Sequence, residues 1–405
     1  MKNSAPHIAI YGAVADIPPQ LGRPLPRLAR IKRSVKARRD ISRFRRNAGF
    51  RCDYRDYEVG HASNIGDVAI AETIRRELRS LHPDCVFSNI DWGNIGQLKE
   101  RHARHKIDLL VVAGGGYFLF DHAGHLPDRL GADLAVLQTT GIPYVFWGVG
   151  VNQPYHPLNG ICQPRPTAAD EARLKTLLDG AMLITVRDEY SATYLAGYTQ
   201  QQVHLVGDPA LHVAAALEPS AAGTSDDTPV VGLNLSFHGP SSNRFLLDNL
   251  PAYARSLKAI QRESGCRFRY ITHHACEYIV PRLLRAAGIP LEIVHADLVG
   301  TCKAYRDIDL HIGGMLHSCI LAASAGTPWI AIAYDIKHQG FNQLMGVEGH
   351  YQDALNFSES ALLALALESL HNRDALRARI AARRDELRER IAQVTHGAIA
   401  QLRMK

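Results

Sequence analysis

Residues 312–341 read IGGMLHSCILAASAGTPWIAIAYDIKHQGF, and this stretch decides the fold. Gly313 and Gly314 close a short apolar strand that begins at Ile308. The run from Leu316 to Ala325 has the composition of a buried helix, ended by Gly326 and Pro328. Trp329 to Tyr334 is then the next buried strand, so the stretch reads as a βαβ-like unit. The helix begins beside His317 and Ser318, with Gly314 at the turn before it. Unpaired N–H groups and the positive end of the helix dipole at such a start favour a phosphate or a carboxylate. The second strand delivers Asp335, Lys337 and His338 at its carboxyl end, which is where open parallel sheets bind ligands.

Working outward, the same alternation covers most of the 405 residues. Residues 7–11 read as a first strand, followed by a Pro-rich and basic insertion over about 20–58. A helix over 67–81 carries Ala69, Ile70, Ile74 and Leu78 on one side, and strands follow at 84–90 and 107–113. Gly114, Gly115 and Gly116 then turn the chain, and further strands read at 143–148, 183–186 and 203–206. Residues 220–228, SAAGTSDDT, have linker composition. Beyond them a second unit opens with VVGLNLSF, continues through a helix at 246–264 and a strand at 267–272, and reaches the βαβ unit. The expectation is two doubly wound, Rossmann-like α/β domains, 1–222 and 228–405, facing a cleft. A helical tail over about 358–405 reads as one or two helices.

Five blocks in order carry a resemblance to a known family: SNIGDVAI from Ser63, AGGGYF from Ala113, TVRDEYS from Thr185, VGDPAL from Val206, and the 312–341 stretch. Together they resemble the polysaccharide pyruvyl transferase family from about His61 to Gly346. The resemblance implies a two-domain fold like that of GT-B glycosyltransferases, and transfer of pyruvate from phosphoenolpyruvate onto a sugar as a ketal. It implies no further cofactor. Two positions before the histidine of the helix start, where the family commonly has an arginine, this chain has Met315. Three readings follow: a pyruvyl transferase acting on a surface-polysaccharide precursor linked to a lipid or nucleotide carrier, a glycosyltransferase or family member with another anionic donor, and a non-catalytic glycan-binding member.

Ketal formation needs anchors for a carboxylate and a phosphate, an acid for the methylene carbon and a base for the sugar hydroxyl. His317 is the first candidate for the acid, because an imidazole changes protonation near neutral pH. Arg187 emerges at a strand end and can grip a carboxylate with two donors, although a strand-end ion pair with Asp188 or Asp208 is the bland alternative. Lys337, Gly314 and Ser318 complete the donor side. Asn64 and Asp67 sit at a loop-to-helix junction where they can cap the helix or bind sugar hydroxyls, and Gly115 and Gly116 let backbone approach an acceptor. His273 and His274 end a strand, as His238 follows another, and are the alternative acids or bases. The histidines lack metal-ligand spacing, so no metal is expected.

Composition sets the outer bounds. With 46% hydrophobic and 21% charged residues the chain has globular composition, and no apolar run approaches the ~18 residues of a membrane span. The amino terminus MKNSAPHIAIYG lacks a signal-peptide pattern, and seven scattered cysteines suggest reduced thiols, so the expected location is cytoplasmic. The formal charge of +6 is uneven: residues 23–46 hold eleven Lys or Arg against Asp40 alone, leaving the remainder near −4. Leu25, Leu28, Ile31, Val35, Ile41 and Phe44 fall at loosely helical intervals there, so the segment reads either as a solvated arm or as a helix making peripheral contact with an anionic membrane. No aromatic interleaving points to nucleic acid.

Overall fold

A computed structural model describes residues 5–12, 27–46, 57, 64–121, 124–152, 165–216, 228–235 and 240–400. The linker expected at 220–228, apart from Thr228, lies outside the described residues, as do His238 and the parts of the basic insertion beyond 27–46 and Tyr57.

Two parallel six-stranded sheets organise the chain. The strands, in order, are β1 (His7–Gly12), β2 (Val86–Asp91), β3 (Leu109–Ala113), β4 (Phe118–Leu119), β5 (Tyr144–Val149), β6 (Val151–Asn152), β7 (Leu183–Val186), β8 (Val203–Leu205), β9 (Val230–Asn234), β10 (Arg267–Ile271), β11 (Leu291–Val294), β12 (Leu310–Gly313), β13 (Trp329–Ala333) and β14 (Tyr351–Asp353). The first sheet runs β2-β1-β3-β5-β7-β8, the second β11-β10-β9-β12-β13-β14, and β4 pairs with β6 in a separate short ribbon. Central strands such as LLVVA of β3 and WIAIA of β13 are buried along their whole length, because helices cover both faces of each sheet.

The helices are α1 (Arg27–Arg45), α2 (Ile65–Leu81), α3 (Gly96–Arg104), α4 (Asp128–Thr140), α5 (Ala168–Asp179), α6 (Glu189–Ala196), α7 (Pro240–Ser264), α8 (Val280–Ala286), α9 (Leu298–Arg306), α10 (Leu316–Ser324), α11 (Ile336–Leu344), α12 (Glu359–His371) and α13 (Arg373–Ala400). Helix α7 starts six residues earlier than its apolar pattern indicates and tolerates Pro251 within it. The tail is two helices, broken at Asn372. No described helix is long and apolar enough to cross a membrane.

Three apolar cores result. One lies on the outer side of each sheet, and the third is shared: Ile65, Ile70 and Ile74 of α2, Leu211 and Val213 of the 3-10 segment Pro209–Ala216, and Ile320 and Ala323 of α10 bury each other across the two domains. Helix α13 returns to the first domain, with Leu387 and Ile391 in that shared core and Arg390 Nη1 donating to Leu205 O at 3.3 Å. Helix α1, although it comes from the first half of the sequence, packs against α8 of the second domain and buries Ala37 in that domain's core.

Candidate functional site

The order of each sheet reverses once near its middle, and both reversals open onto one seam. In the first sheet the crevice lies between β1 and β3, whose last residues are Gly12 and Ala113, and Asp67 and Asn89 line it. In the second it lies between β9 and β12, where the turn into α10 is held by Asn234: its carbonyl accepts from Gly314 N at 2.7 Å and its Oδ1 from Met315 N at 3.3 Å. Such switch points are where doubly wound sheets leave room for ligands.

Each crevice sends a helix start toward the other. Gly66, in the first turn of α2, lies so close to His317 of α10 that a Cβ placed on it would be 2.1 Å from His317 Cγ. Ile65 N donates to His273 O at 3.1 Å, a backbone tie between the domains. His317 is thereby held between two carboxylates of the first domain, Nδ1 at 4.0 Å from Asp67 Oδ1 and Nε2 at 3.8 Å from Asp208 Oδ2. Asp208 Oδ1 accepts from Ala210 N at 2.9 Å, which fixes the carboxylate at the head of the 3-10 segment. Its Oδ2 and His317 Nε2 are both buried without a hydrogen-bond partner among the described residues. Buried polar atoms are rarely left so, and a shift of ~1 Å would join these two. Burial pushes the Asp67 carboxyl above its usual range, Asp208 adds to the push, and His317 and Lys337 oppose it.

Cationic groups converge on the same seam. Arg187, at the end of β7, is 4% exposed; its Nε donates to Asp188 Oδ2 at 3.1 Å and its Nη2 to Asn152 Oδ1. Gly150 makes the room, since a Cβ there would be 2.3 Å from Arg187 Nε. From the second domain, Gly340 of α11 packs against Asp188, and Lys337 Nζ lies 3.7 Å from Asp335 Oδ2. Burial works against the Lys337 ammonium, but Tyr334 and Asp335 outweigh it and hold its pKa above the usual value, with Arg187 opposing. The charges therefore form a chain across the seam, Arg187 acting on Lys337, Lys337 on Asp67 and Asp67 on His317.

Four helix starts meet here. Asn64 Oδ1 caps α2 through Gly66 N at 3.0 Å, Asp188 Oδ1 caps α6 through Ser191 N at 2.8 Å, and Asp335 Oδ1 caps α11 through Lys337 N at 3.2 Å. At α10 the capping position is Met315, which offers no side-chain acceptor. The first turn of α10 is thus the one among these four whose N–H groups no side chain satisfies, and an anion would complete it.

The family model of polysaccharide pyruvyl transferase matches residues 64–336, more than half of the chain and all of this seam up to the start of α11. The chain belongs to the polysaccharide pyruvyl transferase family. As a member it is a transferase, and its two Rossmann-like domains have a GT-B-like arrangement. Among solved structures, a Listeria monocytogenes protein assigned as a UDP-N-acetylglucosamine 2-epimerase superposes with a TM-score of 0.50 at 11% identity, over 93% of this chain and 91% of that one. A UDP-GlcNAc 2-epimerase from Neisseria meningitidis gives 0.48 at 9% identity, over 96% and 99% of the two chains. No curated protein matches the chain. At these identities the structural likeness concerns the fold alone.

In this pyruvyl transferase family member the seam does not gather every expected residue. Ser318 is turned into the core, its hydroxyl donating to Met315 O at 2.7 Å and lying 2.9 Å from His311 Nε2. Gly314 uses both backbone groups internally, its carbonyl facing His338 Nε2 at 3.2 Å. Burial, reinforced by Lys337, lowers the pKa of His338 to about 3, so this ring is neutral. His273 is fully buried with Nε2 at 2.7 Å from Tyr305 OH, and burial drives its pKa far below the usual value. His274 is half-buried beside it. The glycine turn packs inside the first domain: a Cβ on Gly115 would be 2.9 Å from Trp92 Cη2 and one on Gly116 2.0 Å from Asn152 Nδ2. Gly116 leaves room for the Asn152 amide, whose Oδ1 accepts from Arg187 Nη2. The ion pair of Arg187 is with Asp188, which leaves Asp208 to His317.

Two residues carry more of the site than their sequence context indicates. Asp208 lies within VGDPAL, but only the fold turns it to His317. Glu277 is fully buried behind the α10 turn, accepting from Asn234 Nδ2 at 2.8 Å and His273 N at 3.2 Å. Burial raises its pKa to about 8 against the pull of these hydrogen bonds.

Proposed function

We propose that the seam binds phosphoenolpyruvate at the open start of α10 and transfers pyruvate as a ketal to a sugar of a surface-polysaccharide precursor. Arg187 and Lys337 hold the carboxylate and the phosphate. His317 protonates the methylene carbon of the enol, and the first sugar hydroxyl adds to the neighbouring carbon, giving up its proton to Asp67 or back to His317. Phosphate then leaves with the electrons of its C–O bond, and the second hydroxyl closes the ketal, its proton departing with the phosphate. The reaction as written uses no resident cofactor. Asn64 and Asp67, on the opposite domain from α10, take the acceptor sugar in this reading, and its carrier is a lipid or a nucleotide.

The observation that supports this reading is the placement of His317 between Asp67 and Asp208, with its Nε2 and Asp208 Oδ2 facing each other unpartnered at 3.8 Å. An imidazole between carboxylates, reached by two cations and an uncapped helix start, suits a small dianion whose reaction needs a proton delivered and another removed. Met315 favours a second reading, a different anionic donor at the same helix start. Melting measurements separate the two. A donor that binds only the folded protein at about 100 times its Kd adds roughly 2.7 kcal/mol of stability. Stabilisation by phosphoenolpyruvate, together with phosphate release in the presence of a sugar acceptor, is expected. No stabilisation by phosphoenolpyruvate, but binding once Met315→Arg is introduced, would assign this protein another donor.

A further inference from the structure

We infer that the outer face of α1 docks on the surface of an anionic lipid bilayer. The inner face of this helix is taken up by the second domain. Ala37 and Asp40 are buried, Asp40 accepts from Tyr57 OH at 2.6 Å and pairs with Lys36 at 3.6 Å, and the Arg33 guanidinium lies 4.0 Å over the ring of Tyr278, which Arg282 approaches to 3.4 Å. These contacts fix the rotation of the helix and so decide which side chains point away.

On the opposite face Leu28, Ile31 and Val35 are 73%, 51% and 60% exposed. Their spacing stacks them in one stripe along the helix. They are three of the seven large hydrophobic side chains exposed among the described residues, gathered within eight positions. Arg27, Lys32, Arg38, Arg39, Arg45 and Arg46 are exposed around the stripe, and the only acid of the segment, Asp40, is buried on the other side.

Charge decides the occupant. A second copy of the chain meeting this face about a twofold axis would set the same cations against each other, which opposes association. Nucleic acid would be met by cations interleaved with exposed aromatic rings, but among the described residues of this segment Tyr57 is buried and Phe44 is half-buried against the second-domain core. An apolar stripe flanked by cations is what a helix lying in the headgroup layer of an anionic membrane presents. The anchor at Tyr278 follows β10 closely, so α1 flanks the carboxyl end of the second sheet, the end that also carries His317. A carrier held in the bilayer would meet the seam from that side.

The test is cosedimentation of the full chain with vesicles of phosphatidylglycerol and phosphatidylcholine, compared with phosphatidylcholine alone. Binding to the anionic vesicles is expected, weakening as salt screens the charges. Two variants, Leu28→Ser/Ile31→Ser/Val35→Ser and Arg38→Glu/Arg39→Glu, should each bind at least about tenfold more weakly. Their melting temperatures should match the parent protein, because all five positions are exposed. The inference is overturned by an absence of binding, by equal binding to neutral vesicles, or by parent-like affinity of the triple-serine variant, which would reduce the contact to diffuse attraction. It is also overturned by a dimer that the triple-serine variant dissolves while vesicles go unbound. Turnover on a water-soluble acceptor should be unchanged in both variants, so failure here and failure of the proposed function appear in different measurements.

Discussion

The two switch points begin from the same topology and are finished differently. At the first, the last residue of β1 is Gly12, and a Cβ there would sit 3.5 Å from Ala113 Cβ, ordinary contact beside a crevice lined by Asp67. At the second, the last residue of β12 is Gly313, and a Cβ would fall 2.5 Å from His311 Nε2 and 2.5 Å from Ser318 Oγ. Here Asn234, Glu277, His273, His311 and Ser318 fill the crevice with the protein's own polar groups. The difference teaches a division of labour: the second crevice is a rigid mount that aims the start of α10 outward, and the first is less filled, with a small free space beside Asp67. His317 belongs to the mounted element and its carboxylates to the open side.

The largest effect should come from the group that joins the two. His317→Ala should lower turnover about 100-fold or more, the range for losing a general acid, with little change in melting temperature. Asp208→Asn should cost about tenfold, because it removes the charge that faces Nε2 but keeps the bond to Ala210 N. Phosphate release with a competent acceptor measures both. Unchanged turnover in His317→Ala would place the acid elsewhere and break the comparison at its centre.

Next in size is Gly313→Ala. The added methyl has no free volume, so overpacking should destabilise the protein by about 1–3 kcal/mol in denaturant unfolding. A neutral result would mean that the second crevice gives way easily and is no mount.

Glu277 tests the same mount through pH. Its pKa is raised from 4.5 to about 8, so the folded protein keeps a proton that the unfolded chain has released. The stability it contributes is full below pH 4.5 and is lost as pH rises toward about 8. Glu277→Gln removes this titration, so the parent should lose stability relative to the variant across that window. His311 and His338, both lowered to about 3, act in the opposite sense, contributing stability above their ordinary value that is lost as pH falls toward 3. They are common to both proteins and cancel in the difference. Parallel stability curves would show that Glu277 is ionised throughout.

Much of this was legible in the sequence because it is local. The βαβ unit at 312–341, the Asn64 cap and His317 at a helix start depend on neighbours a few residues away, which periodicity and punctuation report. What escaped depends on distance in the chain. Asp208 meets His317 only when the shared core closes, and Glu277 is an acid in HACEY with nothing nearby to mark it as buried. Ser318 and His273 sit where expected along the chain but face inward, because a one-residue step on a helix or strand end turns a side chain to the other side. The basic segment shows the same limit: its charge is read directly, but its docking on the second domain is decided by Tyr57 and Tyr278.

The smallest effect is expected at Gly12, and it is the sharpest test of the open crevice. Its backbone is not among the glycines that use the left-handed region, and among the described residues a Cβ would meet only Ala113 Cβ at 3.5 Å and Ala113 O at 3.6 Å. Alanine is therefore compatible with the native conformation and should stabilise the protein by about 0.4–1 kcal/mol, by reducing the freedom of the unfolded chain. The same methyl would project toward the space beside Asp67. If that space receives the acceptor, Gly12→Ala should raise the KM for the sugar about threefold and leave kcat alone, the pattern of lost binding that is equal in ground and transition states. A higher melting temperature with unchanged KM would show the crevice to be empty of substrate. A lower melting temperature would show it to be packed as tightly as the second crevice is at Gly313, and the two switch points would then be alike.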